Sequence, residues 1–156
     1  WDLLDSALSR LATTHPDAEV VIVGPEDITY RNQHGVKVHW RGPIVGNEIL
    51  RLHYNAATIT VVPSREDNMP LTAMEAQSCG RPVVAFHIGG LPDIVEHGAS
   101  GVLAPPFDIQ ALAEAVNTAL FHSHEMGSSA RERALNTWSE TVVTRSYLSI
   151  YESALG

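Results

Sequence analysis

The sequence predicts an α/β fold: a doubly wound parallel sheet with flanking helices. Three observations predict it. Short apolar runs, Val20–Val23, Val36–Trp40, Thr58–Val62, Pro82–Phe86 and Gly101–Ala104, alternate with segments of helical spacing. Most of these runs are apolar at consecutive positions, which suits strands covered on both faces. Gly or Pro closes several of them, as at Gly24-Pro25, Gly42-Pro43 and Pro63-Ser64.

In chain order, Leu3, Leu4, Ala7, Leu8 and Leu11 recur at helical spacing, with Asp2 placed to cap or charge the first turn. Pro16 and Asp17 break that helix, and Val20–Val23 reads as a fully buried strand. Residues 25–35 are a polar loop, followed by the strand Val36–Trp40. Ile49, Leu50, Leu52, His53 and Ala56 mark a second helix, which leads into the β-branched strand Thr58–Val62. A polar loop, Arg65–Met69, precedes a helix from Pro70 to about Cys79, with Gly80 as its stop. Pro82–Phe86 is a strand, Gly89-Gly90 a turn, Leu91–His97 a short helix and Gly101–Ala104 a last strand. Asp108 caps a helix whose core face includes Leu112, Ala115, Val116, Ala119 and Leu120. Two more helices are expected, about Ser128–Thr137 and Ser139–Leu155. With no strand after them, they are expected to cross the outside or reach a neighbouring domain.

The 156 residues suit a single domain, 1–156, with one sizeable core. Apolar residues at 44% and charged residues at 18% are an ordinary globular mix. A formal net charge of -8 argues against nucleic acid as a partner. The single cysteine, Cys79, precludes an internal disulfide and is compatible with a cytoplasmic location. No apolar run approaches the roughly 20 residues that span a bilayer. The start at Trp1, directly in helical pattern, reads as a fragment whose first strand lies upstream.

Ligands of such sheets bind beyond the carboxyl ends of the strands. Four loops qualify: Gly24–His34, Arg41–Gly46, Pro63–Met69 and His87–Gly90. The third opens a helix at Pro70, and the amides of Leu71, Thr72 and Ala73 carry the positive end of its dipole. A phosphate there would be bound by backbone alone. Glu75 is the only charge in Leu71–Gly80 and shares a stripe with Thr72 and Cys79. A lone carboxylate in such a helix either binds a ligand, a vicinal diol such as that of ribose being its natural match, or faces solvent. The pattern alone leaves both open. Glu66 and Asp67 fit an acid–base pair equally with a capped loop, and Asn68 fits a cap.

Pro63-Ser64-x-x-Asp67-x7-Glu75-Ala76 followed by Cys79-Gly80-Arg81-Pro82-Val83-Val84-Ala85 resembles retaining GT-B glycosyltransferases with a Glu-x7-Glu motif. The resemblance continues through Gly89-Gly90-Leu91-Pro92-Asp93-Ile94-Val95 and Gly98-x-x-Gly101-Val102-Leu103. Weaker echoes extend from Val21–Gly24 to Trp138, Tyr147 and Tyr151. It implies the C-terminal, Rossmann-like half of a GT-B fold, which binds a UDP-, GDP- or ADP-sugar without a further cofactor. Glu75 would then hold the ribose hydroxyls, and Asp67 would lie by the donor sugar. The amides of Leu71 and Thr72 would meet the diphosphate, Asn68, Met69 and Pro70 would belong to the same donor-binding loop, and the Arg41–Ile44 loop, with Arg41, Gly42 and Ile44, would flank the base. Gly89-Gly90 would turn tightly towards the cleft.

The first acid here is Asp67 rather than Glu, with Glu66 beside it, so which of the two reaches the sugar is open. The Glu/Asp-Asn-x-Pro variant resembles bacterial enzymes of surface-polysaccharide synthesis. The family's first strand, its basic phosphate-contacting loop and the N-terminal domain that takes a glycan or lipid-linked acceptor would lie before Trp1. Attachment to the inner membrane face would belong to that half.

Other readings are a sugar-nucleotide epimerase or phosphorylase on the same architecture, or a non-catalytic nucleotide-binding or regulatory domain. A phosphorylase would need a lysine for pyridoxal phosphate, and the one lysine, Lys37, lies in a strand-like run. A receiver-type domain would need clustered acids, which Asp67 alone does not supply. His122-x-His124 lacks acids or cysteines at ligand spacing, so no metal site is expected.

Overall fold

The computed structural model describes residues 2–24 and 35–155. Most of the loop predicted over 25–35 and the Asp2 side chain lie outside the described residues. Among the described residues the elements run in the order α1 (Asp2–Thr14), β1 (Glu19–Ile22), β2 (Lys37–Trp40), α2 (Asn47–Ala56), β3 (Thr60–Val62), α3 (Leu71–Ser78), β4 (Val83–Phe86), α4 (Leu91–Ile94) and β5 (Gly101–Ala104), and every strand pair is parallel. Three helices follow: α5 (Ile109–Phe121), α6 (Ser123–Trp138) and α7 (Glu140–Leu155). Among the described residues, no helix is long and apolar enough to cross a membrane.

The core sits on both faces of the ladder β3-β4-β5. Alternate residues point to opposite sides of a strand. Val62, Val83, Ala85 and Leu103 thus meet Ala73 and Ala76 of α3 and Leu91 and Ile94 of α4. Val84, Phe86, Val102 and Ala104 meet Leu3 and Ala7 of α1 and Leu112, Ala115, Val116 and Ala119 of α5. This is the doubly wound arrangement that the consecutive apolar residues predict.

The strands form two ladders, however, with β1 and β2 in one and β3 to β5 in the other. Val20–Val23, expected to be buried on both faces, is not: Val21 is 49% and Val23 43% exposed. The reason is that α1 packs along α5 and the main ladder, and so leaves one face of β1 uncovered. Across the outer ladder Glu19 pairs with Lys37, and it accepts hydrogen bonds from Lys37 Nζ and His39 Nε2, each 2.7 Å. These two bonds hold its carboxyl below the usual carboxylate range.

Local signals work as expected at two helix ends. Asp108 Oδ1 accepts the Ala111 amide at 2.9 Å and caps α5. Gly80, at φ 71°, ends α3: its amide reaches Gln77 O and the Arg81 amide reaches Ala76 O, a Schellman closure. The helix after β4 is shorter than expected, ending at Ile94. The one expected from Ser128 begins at Ser123, so His122 is the junction of α5 and α6.

Leu112 is fully buried between α5 and the ladder. Leu112→Ala is expected to cost about 2–5 kcal/mol, read as a lower denaturant midpoint at unchanged slope.

Candidate functional site

The loops at the carboxyl ends of β3 and β4 meet through their backbones. Residues 63–70 leave β3, and the turn at Gly89-Gly90 follows β4. The Gly90 amide donates to Asp67 O at 3.2 Å. A Cβ on Gly89 would stand 1.9 Å from Asp67 O, and one on Gly90 would stand 1.8 Å from Asn68 O. No side chain fits at either position without moving the loop. Gly89-Gly90 therefore presses against the acidic loop and sets its height above the sheet.

Within that loop Asp67 is half-buried and lies 3.5 Å from the donating Ser64 Oγ, whereas Glu66, Asn68 and Met69 are exposed. Pro70 is buried and stands one residue before α3, at φ -67° and ψ 114°. Of the three amides expected to be free, Ala73 donates to Pro70 O at 3.1 Å. Leu71 and Thr72 have no acceptor among the described residues, and α3 has no acidic residue in its first turn. The helix start therefore presents two donors and a positive dipole end to an anion.

Glu75 lies one turn further along α3 and does not stand free in solvent. It is half-buried, and its Oε2 accepts the Tyr54 hydroxyl of α2 at 3.0 Å. The two side chains share a groove of about 400 Å³ between α2 and α3. Asn47, Leu50 and Arg51 line it from α2, Leu71 and Met74 from α3, and the Trp138 ring from the end of α6. The Arg133 guanidinium sits over that ring, 6.0 Å from its centre. Burial, and then the hydrogen bond to Glu75, push the Tyr54 phenol well above its ordinary pKa, so it stays protonated.

Arg41, Gly42 and Ile44 lie at the end of β2, where the Gly24 amide donates to Gly42 O and the Arg41 amide to Ile22 O, both at 3.0 Å. None of the three lines the groove between α2 and α3, whose first lining residue in the chain is Asn47. Arg65, the basic residue nearest the acids in sequence, places its guanidinium 5.9 Å from the centre of the Phe107 ring. Among the described residues, no three His, Cys, Asp or Glu side chains converge. The sequence reading missed Tyr54 altogether. A polar-tipped aromatic on the Asn47–Leu50–Tyr54 face of α2 was the available signal, but spacing alone does not reveal that α2 lies beside α3.

The family described as glycosyl transferases group 1 matches residues 1–122. The D-inositol 3-phosphate glycosyltransferase of Geodermatophilus obscurus is 42% identical over 64% of this chain and 22% of its own length. That of Jonesia denitrificans is 33% identical over 97% of this chain and 39% of its own. The chain therefore spans well under half the length of these relatives. Among solved structures, sucrose-phosphate synthase from Thermosynechococcus elongatus superposes with a TM-score of 0.79 at 27% identity, over 97% of this chain and 42% of that one. Anabaena HepE in complex with UDP superposes with a TM-score of 0.81 at 23% identity, over 97% and 44%. The fold is that of one half of a GT-B enzyme, and the chain belongs to the group 1 glycosyl transferases.

Proposed function

We propose that this chain is the domain of a retaining glycosyltransferase that binds a nucleoside diphosphate sugar, and that the whole protein transfers its hexosyl unit to a glycan or lipid-linked acceptor. The observation that carries this reading is Glu75, a half-buried carboxylate in the α2–α3 groove, one turn from the free amides of Leu71 and Thr72. A carboxylate accepts from two vicinal hydroxyls at once, and a helix start takes phosphate through backbone donors. A diol joined to a diphosphate matches this order of partners. The UDP complex of HepE supports the same class of ligand.

On this reading the ribose rests on Glu75, the diphosphate lies over Leu71 and Thr72, and Arg41, Gly42 and Ile44 flank the base. When the glycosidic bond to the diphosphate breaks, negative charge grows on the phosphate oxygens. The two amides already point at that charge and need no reorganisation to stabilise it. Asp67, braced from beneath by Gly90, is the acid set beside the donor sugar, with the exposed Glu66 next to it in the loop. The acceptor is the business of the part of the protein outside this chain, so the names of the inositol-phosphate enzymes do not carry an acceptor over.

Two outcomes are expected of the full-length protein. In calorimetry with UDP, GDP and ADP, one nucleotide binds best, and Glu75→Ala weakens it about tenfold or more. Binding indifferent to that substitution would remove Glu75 from the site. The second concerns Gly90→Ala, whose new methyl would displace the Asp67–Asn68 backbone. It is expected to slow sugar transfer by at least about tenfold, by a larger factor than it weakens nucleotide binding. Transfer at the wild-type rate would show that the loop's position is unimportant.

A further inference from the structure

We propose that Tyr54 is a positioning residue that holds the Glu75 carboxylate in the attitude which receives a ribose diol, and so sets a preference for ribonucleotides over 2′-deoxyribonucleotides. The inference rests on the reading of Glu75 as the ribose-binding acid and adds the group that orients it.

An ionised carboxylate only accepts, so the Tyr54 hydroxyl must donate to Glu75 Oε2, and its proton is fixed in direction. Tyr54 occupies one lone pair of that oxygen. The other lone pair and both of Oε1 remain for two hydroxyl donors, which is the number a vicinal diol brings. Without such a partner, a glutamate side chain with three rotatable bonds would have to be ordered by the ligand, at the ligand's expense in affinity. The phenol spares that cost because its own ring is held in place. It packs against the core cluster of α3 and α4, independently of anything in the groove. Asn47 and Arg51 supply the other polar side chains on the α2 side of the groove, and neither bonds to Glu75 among the described residues.

A purely structural clip between α2 and α3 would show differently. Its loss would loosen the groove for every nucleotide alike, whereas loss of an orienting group is felt by the hydroxyls it prepares the carboxylate to receive. A site built to bind a hydroxyl discriminates strongly against the analogue that lacks it.

The test measures Kd by calorimetry for UDP, GDP and ADP and their 2′-deoxy counterparts on the full-length wild type, Tyr54→Phe and Glu75→Ala, with thermal midpoints alongside. The wild type is expected to favour the ribo form of its best nucleotide by about tenfold or more. Tyr54→Phe, which keeps the ring and its packing, should lose most of that preference by weakening the ribo form far more than the 2′-deoxy form, which offers the carboxylate only its 3′-hydroxyl. If Tyr54→Phe keeps the full preference and Glu75→Ala loses it, Tyr54 does not position the acid, although the donor reading stands. Equal weakening of both forms by Tyr54→Phe marks a clip and also overturns the proposal. A wild type that binds none of the nucleotides or does not distinguish the two forms, or a Glu75→Ala that still does, overturns the donor reading and the proposal together.

Discussion

The strand β4 is buried along its whole length, from Val83 to Phe86, with helices on both faces and a strand on either side. Nothing polar but its own backbone is tolerated there, and that backbone is satisfied by the ladder. Chemistry is therefore pushed to the strand ends. Two residues beyond its carboxyl end the chain must turn without a side chain, because the loop from β3 lies against it. Gly89 and Gly90 meet that demand, and the acids of the neighbouring loop inherit their position from it. The helix α3 obeys the same constraint from the side: Ala73 and Ala76 are small because they touch the sheet, while Glu75 turns to the groove.

Much of this was legible in the sequence because it is local. Apolar residues in succession marked β4 and β5, Asp108 marked the start of α5, and Gly80 marked the end of α3. What failed depended on distant neighbours. Val21 and Val23 looked like core because they are valines, but no described helix covers them. The start of α6 was placed too late, at Ser128 rather than Ser123. Gly127 sits inside the helix because a Cβ there would come 2.5 Å from Gly80 O, a contact that no spacing announces.

The candidate site was legible in the same uneven way. Asp67, Glu75 and the helix start could be named from spacing and resemblance. The partner of Glu75 could not, since Tyr54 lies 21 residues upstream on another helix. The free donors at α3 number two rather than three, because Pro70 turns its carbonyl back onto Ala73. That detail is not written in the sequence, as it depends on where the helix begins to within one residue.

The outer ladder has a consequence of its own. β1 and β2 are tied to each other, yet among the described residues neither contributes to the two core clusters. The side chains of these two strands are half-buried or exposed, unlike those of β4, and on that ground the outer ladder is expected to open before the main one. Their amides should exchange with solvent long before those of β4. A donor bound as proposed would then meet a firm wall at its phosphates and a softer one at its base.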